Sequence, residues 1–187
     1  GREKNSKAFF ETADKYIPAL IAEDEKAWQI YPRFFSWHYN RLNLNKNDDF
    51  VKWAAEKVLS APKVAPADFA KCNDMLFNLA LKKHDLATAK NIVSKMLSVK
   101  ELDPKTKLNY ELCQAIIDSN GKKSGAVEKV NAAIKSNGIK DDDGKAKAEA
   151  LLSAARTAMN AEYFDVAKEI YAAREKMLVP EPCRSIT

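Results

Sequence analysis

Apolar residues recur at helical spacing along most of the chain, in segments that are separated by short polar turns. Between residues 66 and 178 these segments come in pairs. Individual segments end at turn residues, such as Gly121 and the dipeptide Asn137-Gly138. Apolar positions three or four residues apart lie on one face of an α-helix. The pattern therefore predicts an all-α fold of about eight or nine helices. Consecutive helices should be antiparallel, because the turns between them are short.

Pro and Asp residues mark where several of these helices should begin. Pro66 and Pro104 suit the first turn of a helix, and Asp85 is placed to cap the helix that follows it. Pro18 lies inside an apolar helical segment, so we expect it to kink or split that helix. In the second half of the chain the signals predict helices over residues 66–83, 85–99, 104–120, 124–136, 145–160 and 163–178.

A helix-turn-helix unit recurs along the chain, and each copy carries an Ala early in its second helix. These residues are Ala89, Ala126 and Ala167, which are 37 and 41 residues apart, and a looser copy places Ala54 a further 35 residues upstream. Such a period is typical of stacked helical hairpins, since one hairpin cannot bury both of its faces. We predict a single helical-repeat domain over 1–187, with aromatic-rich helices in 1–65, three helix-pair repeats in 66–180 and a tail in 181–187.

The three later units resemble tetratricopeptide repeats. When Ala126 is placed at the twentieth position of that motif, Tyr110, Cys113 and Ile117 occupy the apolar positions of the first helix, and Gly121 falls in the turn. The resemblance implies a short α-α solenoid of stacked helix pairs. An irregular antiparallel helical bundle is the alternative.

The resemblance also implies a groove that is lined by the first helix of each pair and that binds a peptide or another protein. In this family, grooves that bind the C-terminal carboxylate of a peptide have a cation at the fifth position of the motif. The fifth positions here include Asp74 and Glu111, so we do not expect the groove to bind a peptide carboxylate. The groove mixes both signs of charge and is more acidic toward its C-terminal half, which favours a basic ligand; an ordinary solvated surface is the alternative. The implied groove residues are Tyr39, Asn43, Lys71, Asp74, Asn78, Glu111, Asp118, Glu149 and Arg156.

Aromatic residues are concentrated near the beginning of the chain, where 11 of the 17 lie within the first 53 residues. Segment 33–44 has apolar or aromatic residues nearly all round a helix, so this helix is either buried between layers or covered by a partner. We hypothesise a docking patch for a partner protein or a second copy of the chain, with burial inside the chain as the alternative. The patch residues are Trp28, Tyr31, Phe35, Trp37 and Tyr39.

The net charge of +5 comes mainly from lysine, which supplies 25 of the 31 basic residues. These lysines are interleaved with Asp and Glu, and no basic run is longer than two residues. Arg, which binds phosphates and base edges through forked hydrogen bonds, is scarce. We interpret the lysines as a solvated surface and predict no nucleic-acid ligand. No apolar run is long enough to predict a membrane span.

The sequence contains no local catalytic or metal-binding motif. It has two His and three widely separated Cys residues, and it lacks the zinc-protease, nucleophile-elbow and phosphate-loop patterns. Residues 139–150 begin with Ile139 and end with Ala150, where a calcium loop needs oxygen donors. We predict no cofactor, no metal and no catalytic activity, although a Cys–His site assembled from distant segments would leave no such motif.

These observations predict a non-catalytic protein-interaction module or scaffold. One alternative is a helical structural appendage of a larger catalytic or envelope protein. Another is an exported protein that captures carbohydrate or peptide with the N-terminal aromatic residues. The chain begins with Gly1 rather than Met, which leaves export to the periplasm or outside open, and the compartment is not predicted.

Overall fold

The computed structural model describes residues 2–24, 48–61, 64–140 and 142–178. Every regular element in that part of the chain is an α-helix, which confirms the predicted all-α class. The chain divides into two compact units, residues 1–79 and 80–187, and the single domain stays a prediction. The described helices are α1 (Arg2–Glu23), α2 (Asp48–Leu59), α3 (Pro66–Lys82), α4 (Leu86–Leu97), α5 (Pro104–Ser119), α6 (Ala126–Ser136), α7 (Gly144–Asn160) and α8 (Phe164–Leu178).

Aspartates cap the beginnings of three helices, among them the Asp85 cap that the sequence predicts. The side chains of Asp85, Asp103 and Asp143 each accept a hydrogen bond from the backbone N–H three residues later. This bond satisfies one of the backbone donors that the first turn of a helix leaves without an intrahelical partner. Pro104 occupies the first position of α5, where its missing N–H costs no helical bond.

Helix α1 passes through Pro18 without being split, so that part of the prediction is wrong. Pro18 removes the donor for the carbonyl of Asp14, one turn earlier. Both residues are exposed, so the unpaired carbonyl lies on the solvent side of the helix, where water can satisfy it. The buried residues Ala13 and Ile17 lie about 100° away around the helix.

The first unit has a small apolar core with a polar link between α1 and α2. Asp14 accepts a hydrogen bond from Trp53 Nε1 at 3.1 Å, and its carboxylate lies 2.7 Å from Lys57 Nζ. One α1 side chain therefore orients two residues of α2. The buried residues of this core are Ala13, Ile17, Ala55, Val58 and Cys72.

In the second unit, α5 and α6 each contact both the next helix and the next but one. Helix α4 contacts α5, α5 contacts α6 and α7, α6 contacts α7 and α8, and α7 contacts α8. Two polar contacts define how α5 lies against α7. Ser153 Oγ is 2.8 Å from Asn109 Oδ1, and Cys113 Sγ is 3.7 Å from Thr157 Oγ1. Because both pairs are 44 residues apart in sequence, α5 and α7 run parallel to each other.

The alanines that define the sequence repeat are buried in this unit. Ala89 and Ala126 are 0% exposed and Ala167 is 1% exposed. Ala126 and Ala167 belong to one core that also takes residues from α5 and α7. Because Ala has no side chain beyond Cβ, neighbouring helices can approach closely at these positions.

A backbone turn of one type closes two of the helix pairs. In the turn between α3 and α4, His84 N–H donates to Leu81 C=O and Asp85 N–H donates to Ala80 C=O. His84 has a φ of 55°, and its equivalent Glu162 has a φ of 58°. The offset of 78 residues is the one that separates Ala89 from Ala167. The equivalent bonds of the turn between α7 and α8 run from Glu162 to Met159 and from Tyr163 to Ala158.

The turns that follow α3, α5 and α7 lie at the same end of the second unit. His84 Nε2 is 3.6 Å from Glu162 Oε1. Gly121, with a φ of +74°, packs against the ring of Tyr163, and a Cβ atom at this glycine would lie 3.2 Å from that ring. Gly121 is therefore required both by its backbone conformation and by the close approach of the two turns.

Candidate functional site

The aromatic docking patch lies outside the described residues. Trp28, Tyr31, Phe35, Trp37 and Tyr39 all fall within 25–47, as does Asn43 of the implied groove. The patch and that part of the groove stay predictions.

Three of the implied groove residues lie on α3 in the first unit. Lys71 and Asn78 are exposed and Asp74 is half-buried. Asn78 Nδ2 donates a hydrogen bond to the backbone carbonyl of Asp74 at 2.9 Å, so one face of α3 holds both side chains. The other groove residues that the structure describes belong to the second unit, where they occupy two different surfaces.

Glu111 and Asp118 line a shallow cleft of about 470 Å³ between α4, α5 and α6. Glu111 accepts hydrogen bonds from Ser136 Oγ at 3.2 Å and from Asn137 Nδ2, so it holds the end of α6. Lys90 Nζ lies 3.0 Å from the Asp118 carboxylate. The sequence indicates an acidic groove, but Lys90 neutralises the charge of Asp118, and the carboxylate of Glu111 is used in packing α5 against α6.

Glu149 and Arg156 lie on an outward stripe of α7. Together with Leu152 and Met159 they are spaced by three, four and three residues, which places all four on one face of the helix. Glu149 and Arg156 are exposed, Leu152 is half-buried, and Met159 is 43% exposed. The stripe presents two opposite charges beside two apolar side chains, and we call it the α7 stripe.

A second cleft, of about 860 Å³, lies between the beginning of α6 and the C-terminal half of α8. Lys123 Nζ is 3.0 Å from Glu169 Oε1 at its edge, and this hydrogen bond with Glu169 raises the pKa of Lys123. This cleft was not among the predicted sites. The sequence carries no signal for it, since the two charged residues are 46 positions apart and belong to no motif.

A repeated lysine pattern, which was also not among the predicted sites, precedes and begins both α5 and α7. Residues 100–107 are KELDPKTK and residues 140–147 are KDDDGKAK, so lysines and capping aspartates recur at a spacing of 40. The repeated lysine pattern is visible in the sequence when the connections between the helix pairs are aligned with one another instead of the helices. Five of these six lysines are exposed, and one of the five, Lys107, lies 3.7 Å from Glu111. We call the other four exposed lysines the lysine face: Lys100, Lys105, Lys140 and Lys145.

The two capping aspartates within this pattern are turned toward the helix ends. Asp103 Oδ1 accepts from Thr106 N at 3.0 Å, and Asp143 Oδ1 accepts from Ala146 N at 3.0 Å. Hydrogen bonds from the side chain and backbone of Thr106 lower the pKa of Asp103, so this cap is charged at neutral pH. Both carboxylates therefore serve the first turns of α5 and α7, and the lysines beside them face solvent.

The cysteines that the structure describes are buried. Burial, followed by the nearby charge of Asp68, raises the pKa of Cys72 to about 11, which opposes the formation of a reactive thiolate. Cys113 lies in the contact between α5 and α7. Among the described residues, no group of three or more His, Cys, Asp or Glu side chains is placed to hold a metal ion. No helix in the same part of the chain has the length and apolar character needed to cross a membrane.

Comparisons of the chain with protein-family models, with curated proteins and with solved structures give no match.

Proposed function

We propose that this chain is a non-catalytic protein-interaction module built from stacked helix pairs that resemble tetratricopeptide repeats. The observation that carries the proposal is the packing order of the second unit, in which α5 and α6 each contact the next helix and the next but one. Such stacking uses the apolar faces of the pairs for one another and leaves an elongated outer surface available to a ligand. The recurrence of one turn type at an offset of 78 residues supports the same arrangement.

The α7 stripe is the surface that we assign to the partner. It belongs to the first helix of a pair, which is where the resemblance implies a groove. Met159 is among the large apolar side chains with substantial exposure, and Glu149 and Arg156 alternate with Leu152 and Met159 along the stripe. Protein interfaces combine apolar and polar contacts in this way.

Site-specific photocrosslinking tests this proposal. A photoreactive amino acid at Arg156 should give a discrete adduct with a protein of the source cell, whereas the same group at the exposed residue Lys122 should not. The captured protein is then identified, purified and titrated. Leu152→Glu should weaken its binding by about tenfold or more, because a charge replaces an interface apolar group, and Ala172→Glu on α8 should not. Equal adducts at both positions, or unchanged binding by Leu152→Glu, would refute the proposal.

A further inference from the structure

We propose that the α7 stripe is the contact surface between two copies of this chain, whose α7 helices pair antiparallel about a two-fold axis near Leu152. This inference rests on the proposed function, since it names the partner of the surface that is assigned there. The stripe consists of Glu149, Leu152, Arg156 and Met159.

The α7 stripe lies where the preceding helix pair receives another helix. When the capping aspartates of α5 and α7 are aligned at their spacing of 40, Glu149 and Leu152 are equivalent to Asn109 and Leu112 of α5. Asn109 Oδ1 accepts a hydrogen bond from Ser153 Oγ of α7, and Leu112 lies in the core that α5 shares with α7 and α8. The next helix pair therefore covers this face of α5. On α7, Glu149 is exposed and Leu152 is half-buried, so the same face is open to a helix of a second copy.

The charges of the stripe are complementary to those of a second stripe that runs in the opposite direction. Glu149 and Arg156 are seven residues apart, and Leu152 lies near the midpoint between them. When two α7 helices are antiparallel about this midpoint, Glu149 of each copy is level with Arg156 of the other, and the two Leu152 side chains meet at the axis. A two-fold axis brings the same patch to both sides of the contact, so the ion pair forms twice. A parallel pairing would instead bring like charges opposite each other at both positions.

The surroundings of the stripe carry both signs of charge. Lys145 lies one turn before Glu149 on the same face, and Lys105 of α5 is level with Glu149 in the register of the two parallel helices. This mixture disfavours a uniformly acidic or basic ligand, because each sign of charge would repel one of them. In the antiparallel pairing Lys145 is level with the uncharged Asn160 of the second copy, so no two like charges of the α7 helices lie directly opposite each other.

Apolar side chains supply the rest of the contact. The spacing of three, four and three residues along the stripe is the one that keeps two helices in contact at a small crossing angle. Of the described residues in the second unit, Met159 and Phe164 are the large apolar side chains with substantial exposure, at 43% and 58%. Met159 of each copy would lie level with the first turn of the other α7, where the side chain of Lys145 has an apolar stem.

Sedimentation of the purified chain in the analytical ultracentrifuge tests the inference. The contact uses one helix face from each copy and is therefore small, so we expect a weak dimer and a measurement at concentrations up to about 0.5 mM. Glu149→Arg and Arg156→Glu each place two pairs of like charges in the contact. The double variant Glu149→Arg/Arg156→Glu restores both pairs with their signs exchanged and keeps the original net charge. Glu128→Arg, at an exposed position of α6, is the control for the charge change of Glu149→Arg.

We expect the unchanged chain, the control and the double variant to dimerise with similar Kd, and each single variant to weaken the Kd by about tenfold or more. An equimolar mixture of the two single variants should dimerise again, because each copy then supplies the charge that the other lacks. Circular dichroism at the same concentrations checks that every variant is folded.

An unchanged chain that stays monomeric at the highest concentration would overturn the inference. Single variants that dimerise as tightly as the unchanged chain would exclude the stripe from the contact, and a double variant that does not recover would exclude the antiparallel pairing. Either result also overturns the inference. If the chain is monomeric but a photoreactive group at Arg156 still captures a different protein, the proposed function stands without this inference. Failure of the proposed function is seen separately, as equal adducts at Arg156 and Lys122.

Discussion

At the scale of single residues, the second unit depends on side chains that are small. Ala126 and Ala167 are at most 1% exposed, and α7 adds the fully buried Ala154, Ala155 and Ala158. A helix that presents only methyl groups lets its neighbours approach until their backbones limit the distance. The sequence predicts these contact points because Ala recurs there at a fixed period, and a repeated small residue indicates the same close helix contact in each copy.

Ala126→Trp or Ala167→Trp should lower the free energy of unfolding by about 1–3 kcal/mol or more, because a large ring cannot enter a filled core without displacing its neighbours. Urea unfolding followed by far-ultraviolet circular dichroism measures the change. Ala172→Trp is the matched control, since Ala172 is exposed on the same helix as Ala167 and should have little effect. Equal stability of the Ala167 and Ala172 variants would contradict the predicted register.

The buried thiol of Cys72 gives a second prediction at this scale. With a pKa of about 11, its thiolate fraction at pH ~8 is on the order of one in a thousand, and burial also blocks access. In a Cys183→Ser variant, a disulfide reagent should therefore label Cys72 and Cys113 slowly in the native protein and rapidly in urea. Rapid native labelling that Cys72→Ala abolishes would show that the site opens.

At the scale of helices, the ends were more predictable than the faces. Asp85 caps the helix that the sequence assigns to it, and Asp103 and Asp143 cap theirs in the same way, since capping depends on only three or four consecutive residues. The orientation of Glu111 was not predictable in the same way. Its carboxylate binds the end of α6, a contact with Asn137 that is 26 residues away and depends on how two helices pack.

The capping bond of Asp143 should contribute measurably to stability. Asp143→Ala removes the acceptor for Ala146 N–H, and loss of such a cap costs about 0.5–2 kcal/mol. Asp142→Ala is the control, because it removes the adjacent exposed carboxylate without removing the cap. Chemical unfolding of both variants gives the comparison, and an equal loss in both would indicate a general charge effect rather than a cap.

At the scale of the whole molecule, Lys105 and Lys145 oppose the dipoles of the two helices that they begin. Lys105→Glu and Lys145→Glu should each raise the free energy of unfolding by about 0.3–1 kcal/mol at low ionic strength, because a carboxylate suits the first turn of a helix. Lys135→Glu makes the same substitution in the last turn of α6, where lysine is favourable, and should lower it. Unfolding in low and high salt measures both effects, which salt should reduce. A gain for Lys135→Glu would show that the helix dipoles do not set these energies.

The sequence alone could predict the all-α class and the helix pairs but not which surfaces the pairs leave exposed. The repeat period depends on residues that are close in sequence or equivalent between copies. Both kinds of relation can be read directly from the amino-acid sequence. The pairings of Asp118 with Lys90 and of Glu169 with Lys123 join residues from different helices or turns, over separations of 28 and 46 residues. Neither pairing has a local signal, because many lysines could have served equally well.

The turns after α3 and α7 have a consequence for how this chain can change. Both are closed by backbone hydrogen bonds, while the residues at the equivalent positions differ completely: His84 and Asp85 in one, Glu162 and Tyr163 in the other. The turn is thus closed by backbone groups that every amino acid other than proline possesses, and positions 84 and 162 require only a residue that tolerates a positive φ. His84 Nε2 and Glu162 Oε1 lie 3.6 Å apart at one end of the unit, so two side chains that the turns do not constrain meet on a backbone that they do. Evolution or a protein engineer can change the chemistry of that pair while the fold stays the same.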